Sequence, residues 1–321
     1  MTTFFQQLCD SGKPRLVLGF LVLCLCGLPQ QSWGQPVTPL PVKYIGSFAG
    51  SGEGQGELLH PEAISVDMLG HLYIADTGNN RIQKFDATGQ FLIERGGFGW
   101  EGEQLDRPVD ICARGGLDIY VADEYNHRIV RFDRKLNFIS AIRSDDTAAP
   151  GLEFEYPRGV TLTVDGDMFL IDGEQMRILK ITGGSPAVTE FGGLGALSHP
   201  LREPRQIETD SRAYVYVSDS DAGLVRVFDV FGTFVRSLGE TMQWEPTGLG
   251  LDAKSQLLVA DARSRSIFMF APDGRPVGTI TGAAVPESFW GTPTDCTFHA
   301  GTYYILDGDT GMVHMFALQQ P

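Results

Sequence analysis

Short apolar runs that end in an aspartate punctuate the chain. LYIAD closes at Asp76, IYVAD at Asp123, MFLID at Asp172, VYVSD at Asp219, LLVAD at Asp261 and YYILD at Asp307, with gaps of 47, 49, 47, 42 and 46 residues. Each run is too short for a helix and rich in β-formers, so it predicts a buried strand. A proline stands 15 residues before the aspartate in five copies and 14 in the last, at Pro61, Pro108, Pro157, Pro204, Pro246 and Pro293. An aliphatic follows six residues past each aspartate, from Ile82 to Val313. Nine past comes Phe85, Phe132, Ile181, Phe228, Phe270 or Phe316. A repeat of this length means stacked supersecondary units, because one unit cannot bury its apolar face alone.

Each copy predicts four short strands. In the first copy they fall at 63–66, 72–75, 81–85 and 91–94, separated by the turn sequences Met68-Leu69-Gly70, Asp76-Thr77-Gly78-Asn79-Asn80 and Asp86-Ala87-Thr88-Gly89. Six such units without helical patterning predict an all-β fold, a six-bladed β-propeller of four-stranded blades. The sixth copy ends after three strands, and a strand-like segment at 42–48 precedes the first proline. The N-terminal strand is therefore expected to complete the last blade and close the ring. The recurrent aspartates end a strand and open a turn. Asp76, Asp123, Asp172, Asp219, Asp261 and Asp307 are expected to be structural, accepting backbone N–H bonds two or three residues on.

The first copy, with Pro61, Asp76-Thr77-Gly78-Asn79-Asn80-Arg81-Ile82-Gln83-Lys84-Phe85-Asp86 and Gly89, closely resembles an NHL repeat. Asp123-Glu124-Tyr125-Asn126-His127-Arg128-Ile129 is similar, and Asp172 with Arg177-Ile178 is a weaker copy. The later copies depart from the pattern, carrying Leu224, Ser266 and Met312 in place of the arginine. The resemblance covers about residues 42 to 318 and implies the propeller fold. It leaves function open, since such propellers host ligand binding, protein docking, RNA binding and a few enzymes.

Residues 1–34 lie outside the repeat. Lys13 and Arg15 precede an apolar run from Leu16 to Leu28, followed by Pro29-Gln30-Gln31-Ser32-Trp33-Gly34. That layout predicts a secretory signal peptide cleaved after Gly34, a linker at 35–41 and a propeller at 42–321. The run is short of the ~20 residues that span a bilayer, so no membrane span is expected after cleavage. Export, periplasmic or extracellular, follows. Cleavage leaves two cysteines, Cys112 and Cys296, on first strands of different blades and expected as buried thiols. The net charge of −15 repels phosphate backbones, so no nucleic-acid partner is expected.

Residues just after each proline should ring the channel mouth. They include Glu62, Asp110, Arg158, Arg205 and Asp295, which can either pair with one another or orient an anionic or zwitterionic ligand. Aromatics on the loops of the same face, Trp100, Tyr156, Trp244 and Trp290 with Phe98, Phe154 and Phe289, suit recognition of a protein or a sugar. The six histidines do not share a rung, which disfavours zinc catalysis, and no nucleophile triad can be assembled. Glu62, Asp110 and Asp295 come from neighbouring blades and form a candidate calcium set. The reading is a binding scaffold for a protein or cell-envelope component, with no other cofactor. The alternative is a calcium-assisted lactonase- or lyase-like enzyme using those three acids.

Overall fold

The structure is a computed structural model that describes residues 38–114, 117–144, 152–183, 188–196, 199–285 and 290–319. The expected signal peptide and the start of the linker lie outside the described residues. Six four-stranded antiparallel sheets form, each from four strands consecutive in sequence except the last. The first strands run Ala63–Val66, Pro108–Cys112, Pro157–Leu162, Pro204–Thr209, Pro246–Leu251 and Pro293–His299. Each contacts the first strands of both neighbouring blades, all the way round the ring.

The last blade is assembled from both ends of the chain. Val42–Ala49 lies antiparallel to Met312–Leu318, pairing Val42 with Leu318 and Ala49 with Met312, with one irregularity between Tyr44 and Gly46. This is the sharing anticipated from the truncated sixth copy. It spares the last blade an unpaired third strand, whose open edge would otherwise template aggregation.

Apolar residues gather into six clusters, one between each pair of neighbouring blades. All six second-strand runs supply them. The N-terminal strand feeds two clusters at once: Tyr44 packs on Phe316 with ring centroids 5.5 Å apart, and Phe48 packs on Phe85 at 5.1 Å. Each buried aliphatic or aromatic side chain contributes about 1.5–3 kcal/mol.

The six recurrent aspartates are all buried. Asp172, Asp261 and Asp307 accept N–H bonds from residues two and three further on, as the turn chemistry predicts. A bond common to all six is longer in range. Each carboxylate accepts a backbone N–H from the loop that leads into its own blade: Leu59 for Asp76 and Asp106 for Asp123, both at 2.7 Å, Glu155 for Asp172, Glu203 for Asp219, Glu245 for Asp261 and Gly291 for Asp307. The aspartate thus fastens the incoming loop to the turn between second and third strands. In the first three blades the arginine five residues on completes the knot, through Arg81, Arg128 and Arg177. Blade six lacks that arginine. There buried His314 stands 3.6 Å from Asp307 instead.

Two outcomes follow for stability. Deleting residues 36–48 should expose the edge of Met312–Leu318 and cause aggregation or a large loss of melting temperature. A truncated chain that melts like the full propeller would rule out closure by strand sharing. Asp123→Ala strands the buried Arg128 guanidinium, 2.7 Å from the carboxylate, and should cost about 3–5 kcal/mol in denaturant unfolding. Asp219→Ala removes bonds to backbone N–H groups and should cost less, about 1–3 kcal/mol. Equal losses would show that the arginine knot adds nothing.

Candidate functional site

The prolines that open the first strands place the next residues at two depths in the channel. The residue one past the proline reaches the mouth on the aspartate-turn face. The residue two past it turns inward. Glu62, Arg158 and Arg205 belong to the first set and line a funnel of about 550 Å³. Asp110 and Asp295 belong to the second, and the structure corrects their expected place at the mouth: both are buried below it.

The buried level has a three-blade pattern. On blades two, four and six the position holds Asp110, Gln206 and Asp295. Each accepts a backbone N–H from the first strand of the next blade: Val160 to Asp110 at 2.7 Å, Leu249 to Gln206, and Ile64 to Asp295 at 2.8 Å. On blades one, three and five the same position holds Ala63, Gly159 and Gly248. A Cβ at Gly248 would stand 2.3 Å from the Asp295 Cα, so the small residues make room for the long ones. Gln206 Nε2 then donates to Asp295 Oδ2 at 2.9 Å and Asp110 Oδ1 at 3.3 Å, tying the three together. Burial outweighs these donors and pushes Asp110 up to about 7, with Asp295 likewise raised well above the usual carboxylate range.

Glu62, Asp110 and Asp295 are therefore not brought to one point. Glu62 pairs with Arg107 at the mouth, while the two aspartates serve backbone N–H groups. Among the described residues no group of three or more His, Cys, Asp or Glu is placed to hold a metal ion.

The funnel wall carries an unbroken arc of alternating charge. Arg107 donates to Glu62 at 2.9 Å and to Glu124 at 2.5 Å; Arg158 lies 3.6 Å from Glu124 and 3.8 Å from Glu203; Arg205 lies 2.8 Å from Glu203. Nη1 of Arg158 is buried and, among the described residues, makes no hydrogen bond, its pairing with Glu203 being the loose 3.8 Å one. Burial raises Glu62 above the usual carboxylate range, with Arg107 opposing it. The facing wall, from blades five and six, is small and polar, with Thr247, Gly248, Thr294 and Gly308. The ions pair along the rim, and a cavity stays open between them. Arg107, Glu124 and Glu203 were not singled out in the sequence. Arg107 and Glu203 occupy the position immediately before the proline, a rung that the repeat alignment exposes but whose side chains vary from copy to copy.

The aromatic expectations divide. Trp244 is core, its indole N–H donating to the Gly223 carbonyl at 2.7 Å, and Phe154 is buried as well. Trp290 bonds the Arg265 carbonyl at 2.8 Å and packs on Phe316, and half-buried Tyr156 packs edge-on against His127 at 4.4 Å. These four pack over the blade junctions, where the loops fold down. Trp100 and Phe98 do project, each 70% exposed. Phe289 lies outside the described residues. Cys112 and Cys296 are free and buried. Among the described residues no helix is long and apolar enough to cross a membrane.

The NHL repeat family matches residues 58–85 and 105–132, the two copies in which the aspartate, asparagine and arginine knot is complete. The chain is a six-bladed propeller that carries NHL repeats. Among curated relatives, the propeller is 27% identical over 137 residues to a probable peptidyl-alpha-hydroxyglycine alpha-amidating lyase of Caenorhabditis elegans, covering 41% of this chain and 39% of that one. It is 26% identical over 151 residues to the brain tumor protein of Drosophila melanogaster, covering 46% and 14%. A 45-residue stretch is 47% identical to the E3 ubiquitin-protein ligase TRIM71 of Rattus norvegicus, covering 14% and 5%. The propeller thus spans well under half the length of these relatives. Among solved structures, virginiamycin B lyase of Staphylococcus aureus superposes with a TM-score of 0.59 at 14% identity, covering 87% of this chain and all of that one. A Bacteroides thetaiotaomicron protein of unknown function gives 0.65 at 14% identity, covering 87% and 76%. At such identities the likeness shows the fold alone.

The buried pair predicts a pH dependence. A carboxyl raised in the folded state adds stability that is fully present below its unfolded value, near 4, and is lost as pH rises to about 7. Wild-type stability measured by urea unfolding should therefore fall between about pH 4 and pH 7 relative to Asp110→Asn. Parallel pH profiles would show that Asp110 stays ionised throughout.

Proposed function

We propose that the NHL-repeat propeller is an exported binding module whose ligand, a protein or other cell-envelope component, docks on the aspartate-turn face. A group carrying both signs of charge, or a chain end, seats in the funnel. The observation that carries this reading is the arc from Glu62 to Arg205 around an open cavity. Three guanidiniums and three carboxylates already fixed by mutual pairing are preorganised for a zwitterion, since little side-chain freedom remains to be lost on binding. In a chain whose net charge is −15, the arc balances three guanidiniums against three carboxylates, so both signs are presented at this mouth.

The relatives include a probable amidating lyase as well as the brain tumor protein and TRIM71, so they favour neither a binding module nor an enzyme. The lactonase- or lyase-like alternative would need a ligand set that Glu62, Asp110 and Asp295 do not form. A binding module accounts for the mutually paired geometry of the rim.

The test is a thermal-melt panel of free amino acids and short peptides. At least one zwitterion should raise the melting midpoint, and Arg158→Met with Arg205→Met should abolish the rise while leaving the unliganded midpoint close to wild type. A panel without effect, or a rise that survives both substitutions, contradicts the proposal. Prior treatment with EDTA should leave the rise unchanged; its loss would favour the metal-assisted alternative.

A further inference from the structure

The loops entering blades one and two share one bridge and hydrogen-bond pattern, differing in the turn, where Gly56 takes a positive φ in the first and Gly102 in the second. A parallel bridge joins Ser51 to Leu58 in one and Phe98 to Leu105 in the other. In each, the leucine N–H bonds back to a glycine carbonyl, Gly50 at 2.8 Å and Gly97 at 3.0 Å. In each, the asparagine of the aspartate turn holds the next glycine carbonyl: Asn79 bonds Gly52 at 3.0 Å and Asn126 bonds Gly99 at 2.8 Å. The arginine of the knot grips the rest. Arg81 donates to Gly54 and Glu57; Arg128 donates to Trp100 at 2.9 Å and Gln104 at 2.5 Å.

With that pattern matched, the side chains can be compared position by position. Where the first loop displays Ser51 and Glu53, the second displays Phe98 and Trp100. All four positions are exposed. The first loop shows that this pattern forms without aromatics, so the fold does not require Phe98 or Trp100. Arg128, itself buried, pins the loop that carries them. Two large apolar side chains are thus held in solvent on an immobilised backbone, and ordering them for a partner has little further entropic cost. Exposed tryptophan on a rigid base is the composition of an interface hot spot.

Charge narrows the partner. Glu101 and Glu103 flank the aromatics on the same exposed loop, and among the described residues the one cation paired with them is Arg95, 3.6 Å from Glu103. A second copy of a chain with net charge −15 would bring like charge to this loop. We propose that Phe98 and Trp100 form a docking site for a protein segment that presents an apolar side chain beside lysine or arginine. Glu101 and Glu103 receive the cations. This site is separate from the funnel and does not rest on the funnel's proposed ligand.

The probe is a phage-displayed library of random short peptides panned on the full propeller. Enrichment of sequences combining apolar residues with Lys or Arg is expected. Phe98→Ser with Trp100→Ser, which leaves the charge unaltered, should weaken the selected peptides at least about tenfold while the melting midpoint stays at the wild-type value. Glu101→Lys with Glu103→Lys should reverse the charge preference of the enriched sequences. Arg158→Met with Arg205→Met should leave peptide binding intact. The proposal is overturned by no enrichment, by enrichment that the serine pair does not affect, or by acidic sequences. It is also overturned if the serine pair lowers the midpoint as a core substitution would. A concentration-dependent dimer in sedimentation that the pair abolishes, or glycan-array binding lost in the pair, would assign the aromatics to self-association or sugar and equally end it.

Discussion

Antiparallel pairing of Val42–Ala49 with Met312–Leu318 is the constraint on which the molecule depends. The six first strands surround one channel, and their mutual positions are set only when the ring is closed. The funnel draws its charged wall from blades one to four and its small polar wall from blades five and six. An open ring would part those walls and uncouple the Asp110, Gln206 and Asp295 tie across blades two, four and six. Closure is also expensive in contact order, because it joins residues at opposite ends of the repeat array. Folding of the last blade must therefore wait on the rest.

The fold was legible because its determinants are local and repeated. The strand-aspartate-turn phrase, the proline at fixed distance and the missing fourth strand each have one reading. The aspartate's main partner was not legible in the same way. Local turn chemistry accounts for Asp172, Asp261 and Asp307, but the bond shared by all six reaches back to a loop 16 or 17 residues upstream. Only the folded blade brings the two together. The site was half legible for a related reason. Repeat register placed Glu62, Arg158 and Arg205 at the mouth, yet it could not separate the residue one past the proline from the residue two past it. An irregularity in the first strand after the proline, seen between Pro108 and Asp110 and between Pro293 and Asp295, turns the second residue inward. Trp244 and Trp290 illustrate the other limit, since sequence cannot tell a loop that stands up from one that folds over a blade junction.

The resulting division of labour is physical. Buried aspartates and arginines fix loop backbones; side chains released from that task, on the rim and on one loop, are free to recognise. Arg128 does both, holding a loop rigid by burial so that Phe98 and Trp100 can remain exposed. Low-identity likeness to virginiamycin B lyase shows the shared scaffold alone. The paired acids and bases of this mouth are arranged to hold charge in place.

A crystal structure of the propeller with the zwitterion that most raises its melting temperature tests the account most directly. The account predicts the ligand within the funnel, with its anionic group against the Arg158 and Arg205 guanidiniums and the Asp110, Gln206 and Asp295 tie unbroken beneath it. A ligand bound elsewhere with the funnel empty, or one that displaces the tie and draws Glu62, Asp110 and Asp295 around a metal ion, would contradict it.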